Sequence, residues 1–151
     1  MNNIEHYLQG KTLGLGNAHP DDHAPHANLL WAAHVAGTNV HEVVHTKGRN
    51  ASDNFRANER PRFNVAHGDR EDEGRSSAQY LGIQTYVQYD AVDGRVADRE
   101  EELAQVTAAW AQRKRVDVLA TLATDDHAAY HYIPAGQLAI AAADLTAPGA
   151  W

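Results

Sequence analysis

Short apolar runs alternate with longer amphipathic stretches along most of the chain, and this alternation restricts the fold more than any other feature. The apolar runs have the length and the β-branched content of strands, whereas the longer stretches space their apolar residues as helices do. The predicted strands cover residues 13–18, 39–46, 83–89 and 116–122. The predicted helices cover residues 26–36, 69–81, 98–114 and 133–144.

This alternation predicts an α/β fold: a Rossmann-like, doubly wound, mostly parallel sheet with helices on both faces, in three α/β/α layers. The 151 residues contain no internal repeat and no linker, so we expect a single domain over residues 1–151. In such sheets the strands take the order 3-2-1-4, and ligands bind beyond their carboxyl ends, where the strand order reverses.

The composition limits the partners and the compartment. Hydrophobic residues make up 43% of the chain, but no run is long enough to span a membrane, and the first residues lack the pattern of a secretory signal. The net charge of −7 argues against a nucleic-acid partner. Cysteine is absent, so any metal would have His, Asp or Glu ligands. We expect a cytoplasmic protein without a membrane partner.

A polar cluster follows the first predicted strand directly. Its residues are Asn17-Ala18-His19-Pro20-Asp21-Asp22-His23. Pro20 cannot continue the hydrogen-bond ladder of a sheet, which indicates a turn at this strand end. An imidazole beside two carboxylates can supply metal ligands and a general base, as hydrolytic zinc sites require. The alternative is an ordinary turn in which Asp22 caps the next helix.

A second polar cluster, residues 124–131, follows the fourth predicted strand and contains Asp126, His127 and His131. In the expected strand order, the carboxyl ends of the first and fourth strands are neighbours. We therefore expect these two clusters, which are far apart in the sequence, to lie in one crevice. Most of the ten histidines, such as His41 and His45, are expected on the surface or in hydrogen bonds.

The motifs along the chain resemble those of the LmbE-like, or PIG-L, family of zinc-dependent N-acetylglucosaminyl deacetylases. The resemblance extends from the first strand into the last predicted helix. Its most specific parts are the His-Pro-Asp-Asp signature and a helix with the pattern Arg-x-x-Glu that ends in Leu-Gly. The matching segments are Ala18-His19-Pro20-Asp21-Asp22, Thr46-Lys47-Gly48, Arg70-Glu71-Asp72-Glu73, Asp93-Gly94 and Asp126-His127.

The resemblance implies a zinc hydrolase that removes an N-acetyl group from a small N-acetylglucosamine-type conjugate. His19, Asp22 and His127 would bind the zinc ion and leave one position open for water. Asp21 would be the general base that deprotonates this water and then protonates the leaving amine. Zinc lowers the pKa of its water from 15.7 to about 7, which suits amide hydrolysis at neutral pH. Fe(II), Co and Mn also accept such ligands.

The resemblance also implies two substrate-binding residues. Arg70 and Asp93 would hold sugar hydroxyl groups or support the site. Each has a simpler alternative, because Arg70 and Glu73 stand three residues apart and could form only a surface ion pair of a helix. Asp93 precedes a glycine, and this dipeptide is common in plain turns.

Two residues depart from the family's pattern. The family usually has Glu after the two aspartates, where this chain has His23, and three roles stay open for it: a ligand, a support for a ligand, or neither. The family also has a histidine that stabilises the oxyanion three positions before the third ligand, where this chain has Thr124. His131 either replaces that catalytic histidine or is itself the ligand in place of His127.

Family members usually continue beyond the last predicted helix, whereas this chain stops at Trp151. We therefore expect a substrate pocket that is shallow or is completed by a neighbouring subunit of a homo-oligomer. One alternative function is a shortened, non-catalytic homologue that only binds metal. Another is a nucleotide-binding domain, suggested by Gly14-x-Gly16, although the third position of that fingerprint is occupied by His19 instead of glycine.

Overall fold

The computed structural model describes residues 3–47, 69–92 and 96–122, and for residues 69 and 70 it describes the backbone alone. Four strands lie in these ranges: β1 (Thr12–Asn17), β2 (Asn39–Thr46), β3 (Thr85–Ala91) and β4 (Val118–Thr121). The helices are α1 (Asn3–Leu8), α2 (Ala27–Ala36), α3 (Asp69–Tyr80) and α4 (Glu100–Lys114), and short 3-10 turns cover Ala24–His26 and Val96–Arg99.

The four strands form one parallel sheet in the order β3-β2-β1-β4, which confirms the predicted α/β fold and its strand order. Strand β1 lies between β2 and β4, and its last residue, Asn17, is opposite Val44. Near the same edge, Gly16 is opposite Thr121. The parallel pairing therefore brings the carboxyl ends of β1, β2 and β4 to one edge of the sheet.

Helices cover both faces of the sheet because β2 and β1 alternate their side chains between two cores. Leu13 and Leu15 of β1 pack with Leu30 of α2 in the first core. Val43 of β2 points to the opposite face, where it packs with Trp110 of α4. Within the described parts of the chain, none of these helices has the length and apolar character needed to cross a membrane.

Gly14 is explained by close packing instead of by phosphate binding. A Cβ atom at this position of β1 would lie 2.9 Å from Cγ1 of Val116 and 3.2 Å from Cδ1 of Leu119, and real Cβ atoms essentially never come within 3.0 Å of another heavy atom. The glycine thus lets the segment that leads into β4 pack against the centre of the sheet. This packing removes the reason for a nucleotide-binding fingerprint at Gly14-x-Gly16.

The observed bounds agree best with the prediction where the apolar pattern is strongest, and β2 has the predicted bounds. Strand β3 starts later than predicted, at Thr85, because the N–H of Ile83 is used at the end of α3, where it donates to the Ala78 carbonyl at 2.9 Å. It also extends to Ala91, so Asp90 belongs to the strand instead of to the predicted turn. A long loop is predicted over residues 47–67, and all of it after Lys47 lies outside the described residues, as does the predicted helix over residues 133–144.

The start of α4 and the whole of α1 also differ from the prediction. The predicted helix at residue 98 begins as the 3-10 turn and becomes α-helical only at Glu100. Helix α1 was not predicted, because its six residues are too few to show a helical period. It packs against α2 and contributes Leu8 to the first core.

His45 of β2 is fully buried on the α4 face, where its Nε2 atom forms a 3.1 Å hydrogen bond with Oγ1 of Thr107. Its ring also stacks with that of Tyr89 at a centroid distance of 6.4 Å. Burial removes the solvation that a cationic ring needs, and it lowers the pKa of His45 from 6.5 to about 4. The folded protein therefore keeps this ring neutral at physiological pH.

We expect His45 to make the protein sensitive to acid. Because its folded pKa lies below its unfolded pKa, the unfolded chain binds the proton first as the pH falls. The contribution of His45 to the unfolding free energy is fully present above pH 6.5. It decreases as the pH falls towards about 4, by about 3 kcal/mol in total. The His45→Gln variant, which cannot titrate, should lose less unfolding free energy between pH 7 and 4 in urea titrations. Equal losses in both proteins would contradict this assignment.

Candidate active site

The polar cluster after β1 forms a tight loop at the carboxyl edge of the sheet. Consecutive backbone hydrogen bonds shape it: Asp22 N–H donates to the His19 carbonyl at 3.2 Å, and Ala24 N–H donates to the Asp21 carbonyl at 3.2 Å. His19 and Asp22 are buried, at 6% and 4% exposure, whereas Asp21 is exposed. The loop thus places two side chains inside and one carboxylate at the surface. We call residues 19–23 the ligand loop.

Thr46, the last residue of β2, holds the beginning of this loop. Its N–H and its Oγ1 both donate to the Ala18 carbonyl, at 3.0 and 2.8 Å. The Thr46 carbonyl in turn accepts a 3.0 Å hydrogen bond from Nε2 of Gln88 in β3. Ala18, directly before His19, is therefore fixed to the end of β2, which Gln88 in turn joins to β3. This contact gives a structural reason for the threonine of the Thr-Lys-Gly segment.

His19 and Asp22 approach each other with two atoms suited to a metal ion. Nδ1 of His19 lies 3.3 Å from Oδ2 of Asp22, and the same oxygen accepts a 2.8 Å hydrogen bond from the His19 N–H. A tetrahedral zinc ion with bonds of roughly 2.0–2.2 Å separates two N or O ligands by about 3.3–3.5 Å. The observed pair therefore fits two adjacent corners of such a site.

The alternative role of Asp22 as a helix cap is wrong. Its carboxylate turns back to the N–H of His19, and neither the 3-10 turn Ala24–His26 nor helix α2 has a side-chain cap at its start. The two N-cap positions are occupied by His23 and His26. Asp22 is thus held beside His19 by the loop itself.

A buried polar network lies beneath the ligand loop. Glu42 of β2 is completely buried, and its Oε1 atom accepts a 2.7 Å hydrogen bond from Nδ2 of Asn17. The same oxygen lies 3.4 Å from Nδ1 of His23, whose Nε2 atom hydrogen-bonds Oγ of Ser77 in α3 at 2.7 Å. Nε2 of His26 contacts Oδ1 of Asn17 at 3.1 Å. The network therefore joins β1, β2 and α3 through the loop.

The pKa values of two histidines in this network shift in opposite directions. The contact with the Glu42 carboxylate raises the pKa of His23 above its usual value, against the effect of burial. Burial lowers the pKa of His26, although Glu42 and Asp22 oppose this effect. His23 turns both ring nitrogens towards the protein: Nε2 hydrogen-bonds Ser77, and Nδ1 lies 3.4 Å from Glu42 without forming a hydrogen bond to it.

Sequence reasoning missed Glu42, although the pattern of β2 contained a signal. Residues 40, 42 and 44 point to the same face of the strand, and Val40 and Val44 belong to the first core. A carboxylate between them must be buried, and buried carboxylates are rare unless they are paired. This position alone could have marked Glu42 as a residue with a specific partner.

Helix α3 packs directly against the ligand loop. A Cβ atom at Gly74 would lie 2.7 Å from Cβ of Pro20 and 2.8 Å from the Tyr86 hydroxyl. Only glycine permits this approach. One turn later, Ser77 reaches His23. The outer face of the same helix carries an exposed ion pair of Glu71 with Arg75 at 3.3 Å.

His19, Asp21 and Asp22 lie together in the ligand loop, whereas the side chains of the other predicted site residues lie outside the described part of the chain. The backbone of Arg70 lies in the first turn of α3, but its side chain is outside the described part. Asp93, His127 and His131 lie outside the described residues. Among the side chains that are described, no three His, Asp or Glu residues form a metal-binding group. The third ligand therefore stays a prediction.

Comparison with known proteins gives one family. The family model described as PIG-L, GlcNAc-PI de-N-acetylase, matches residues 17–143. No curated protein matches the chain closely.

Three solved structures are similar to this chain. The conserved protein TT1542 from Thermus thermophilus has 24% identity and a TM-score of 0.71, over 89% of this chain and 56% of its own. N,N'-diacetylchitobiose deacetylase from Pyrococcus horikoshii has 18% identity and a TM-score of 0.70, over 95% of this chain and 55% of its own. GalB, the 4-carboxy-2-hydroxymuconate hydratase from Pseudomonas putida, has 18% identity and a TM-score of 0.64, over 93% of this chain and 60% of its own. This chain thus corresponds to little more than half of each structure, and these similarities concern the fold.

Proposed function

Because the chain belongs to the PIG-L family, we propose that it is a metal-dependent deacetylase that removes an N-acetyl group from a small N-acetylglucosamine-type conjugate. The observation that carries this proposal is the ligand loop itself. It holds a buried His19–Asp22 pair with atoms 3.3 Å apart, and it exposes the adjacent carboxylate of Asp21. A metal ligand pair and a solvent-facing base at one strand end are the parts that amide hydrolysis requires.

The residues present fit a divalent metal ion. His19 and Asp22 would supply two ligands, and His127 of the cluster after β4 would supply the third. The chain has no cysteine, and such nitrogen and oxygen ligands suit zinc as well as Fe(II), Co or Mn. When bound, the metal ion would acidify a water molecule and polarise the acetyl carbonyl.

Asp21 would move the proton. Its carboxylate is exposed, whereas the Asp22 carboxylate is buried and occupied by the His19 N–H. Two neighbouring carboxylates in different environments can take different roles, as in other hydrolases. Asp21 would accept a proton from the attacking water and donate it to the nitrogen of the leaving amine, so that the products are acetate and a free amino sugar.

The remaining predicted residues would act on the substrate and the oxyanion. Arg70 and Asp93 would bind sugar hydroxyl groups, and His131 would donate to the oxyanion in place of the histidine that Thr124 replaces. The rival function is a metal-binding homologue without turnover. Asp21 favours the enzyme, because a site that only holds metal does not need an exposed base. Since a hydratase shares the fold, the reaction must be tested on the site.

The first prediction concerns the metal ligands. The purified chain supplied with zinc should contain about one zinc ion per molecule, as Zn sites of this kind do. His19→Ala and His127→Ala should lose it, whereas His131→Ala should keep it. His6→Ala, an exposed position of α1, is the matched control. Metal content by mass spectrometry decides the result. Loss in His131→Ala with retention in His127→Ala would exchange these roles, and no zinc in any protein would overturn the hydrolase proposal.

The second prediction concerns the base. Asp21→Asn should keep the metal but lower kcat by roughly 10²–10⁴-fold, with KM nearly unchanged, because only proton transfer is lost. Acetate release from N-acetylglucosamine conjugates measures this effect. Asp98→Asn, an exposed change in the 3-10 turn before α4, serves as the control. An Asp21→Asn enzyme that retains the metal and the full rate would exclude Asp21 as the general base.

A further inference from the structure

We propose that the buried pair of Glu42 and His23 is a positioning device that fixes the ligand loop in its metal-binding shape. The effect on metal binding rests on the proposed function, but the fixing of the loop does not. Glu42 lies in the middle of β2, and His23 is the last residue of the ligand loop. Glu42 is not a predicted ligand, and the His23 ring is turned towards Glu42 and Ser77, so both side chains would act on a metal ion through the loop.

One carboxylate oxygen of Glu42 meets both ends of the segment that carries the ligands. Oε1 accepts the 2.7 Å hydrogen bond from Asn17, which is the last residue of β1. The same atom lies 3.4 Å from Nδ1 of His23. Residues 18–22 thus connect Asn17 and His23, whose side chains both contact Oε1 of Glu42. Movement of either end of this segment would break a contact with a charge that has no access to water.

Burial makes these contacts costly to lose. The Glu42 and His23 side chains are 0% and 4% exposed. A buried carboxylate without its partner is strongly unfavourable, whereas a valine would satisfy the same core position of a strand at no such cost. Val40 and Val44 occupy the neighbouring positions on that face. Compared with a valine, Glu42 therefore brings no evident gain in stability. It does hold Asn17 and His23 in a defined geometry.

Ser77 fixes the other side of the His23 ring. Its hydroxyl donates to the Gly74 carbonyl at 3.1 Å, so its oxygen is left to accept a hydrogen bond from Nε2 of His23 at 2.7 Å. The ring thus lies between β2 and α3, with Nε2 hydrogen-bonded to Ser77 and Nδ1 facing the Glu42 carboxylate at 3.4 Å. The close contact of Gly74 with Pro20 brings α3 to the same loop, one turn before Ser77. Helix and strand therefore clamp the loop from opposite sides.

The order Ser77, His23, Glu42 also resembles a nucleophile with its base, but the surroundings of Ser77 do not suit this role. A nucleophilic serine gives its proton to the imidazole. Here the hydroxyl proton is directed to the Gly74 carbonyl of the same helix. Ser77 also lies inside α3 instead of on a strand-to-helix elbow. The three residues are suited to holding the loop.

The experiment compares Glu42→Gln, His23→Gln, the double variant and Ser77→Ala with two controls. Ser76→Ala removes the hydroxyl next to Ser77 on the exposed side of α3, and Glu101→Gln removes an exposed carboxylate of α4. Far-UV circular dichroism and urea unfolding establish which variants fold. Zinc affinity is measured by competition with a chelator, and ligand geometry is followed by the visible absorption of the Co(II)-substituted protein.

The positioning role predicts that Glu42→Gln and His23→Gln fold but bind zinc about 10–100-fold more weakly, with an altered Co(II) spectrum. The double variant should be no worse than either single variant, because the two residues act as one unit. Ser77→Ala should weaken zinc binding less, and both controls should leave it unchanged. Wild-type affinity and spectrum in folded Glu42→Gln and His23→Gln would overturn the proposal. If Glu42→Gln does not fold, unchanged affinity in Ser77→Ala would overturn it.

A second arm needs no metal. Amide hydrogen exchange of the metal-free protein reports local opening, and the positioning role predicts faster exchange at residues 18–24 in Glu42→Gln while the strands stay protected. Unchanged exchange there would overturn the proposal. If no zinc binds the unmodified chain but amide exchange at residues 18–24 increases in Glu42→Gln, the proposed function fails and the positioning role of Glu42 and His23 stands. If zinc binding depends on His19 but neither zinc affinity nor amide exchange changes in Glu42→Gln, the positioning role fails and the proposed function stands.

Discussion

The parallel pairing of β1 with β2 on one side and β4 on the other is the constraint on which the rest of the structure depends. Because parallel strands end at the same edge, this pairing places the ligand loop beside the end of β2 and next to the end of β4. Thr46 then fixes the carbonyl of Ala18, directly before the first proposed ligand. The position of the proposed site follows from backbone hydrogen bonds before any side chain is considered.

Burial then separates the roles of side chains that are adjacent in the sequence. Asp22 is buried and hydrogen-bonded to the backbone, whereas Asp21 faces solvent. Beneath them, Glu42 is completely buried in a polar network with Asn17 and His23. A protein that needed only stability would place an apolar residue there. Polar groups are buried in this core where they hold the loop that we propose binds the metal.

Much of the fold could be predicted from the sequence because strands and helices have different periods. The bounds of β2 were predicted because β-branched residues alternate along it, and the strand order followed from the alternation of strands and helices. The start of β3 was predicted too early, because Ile83 is β-branched but its N–H donates to the Ala78 carbonyl at the end of α3. His19, Asp21 and Asp22 were found because they are contiguous. Glu42 was missed because its partners are distant in the sequence: Asn17 lies 25 residues away, and His23 lies in the loop after β1.

The central claim, that the ligand loop holds a metal ion, is tested most directly by a crystal structure of the zinc-loaded protein with anomalous data at the zinc edge. We expect one strong anomalous peak within roughly 2.0–2.2 Å of both Nδ1 of His19 and Oδ2 of Asp22, with His127 as the third protein ligand. A peak elsewhere, or none at this edge of the sheet in crystals grown with zinc, would contradict it.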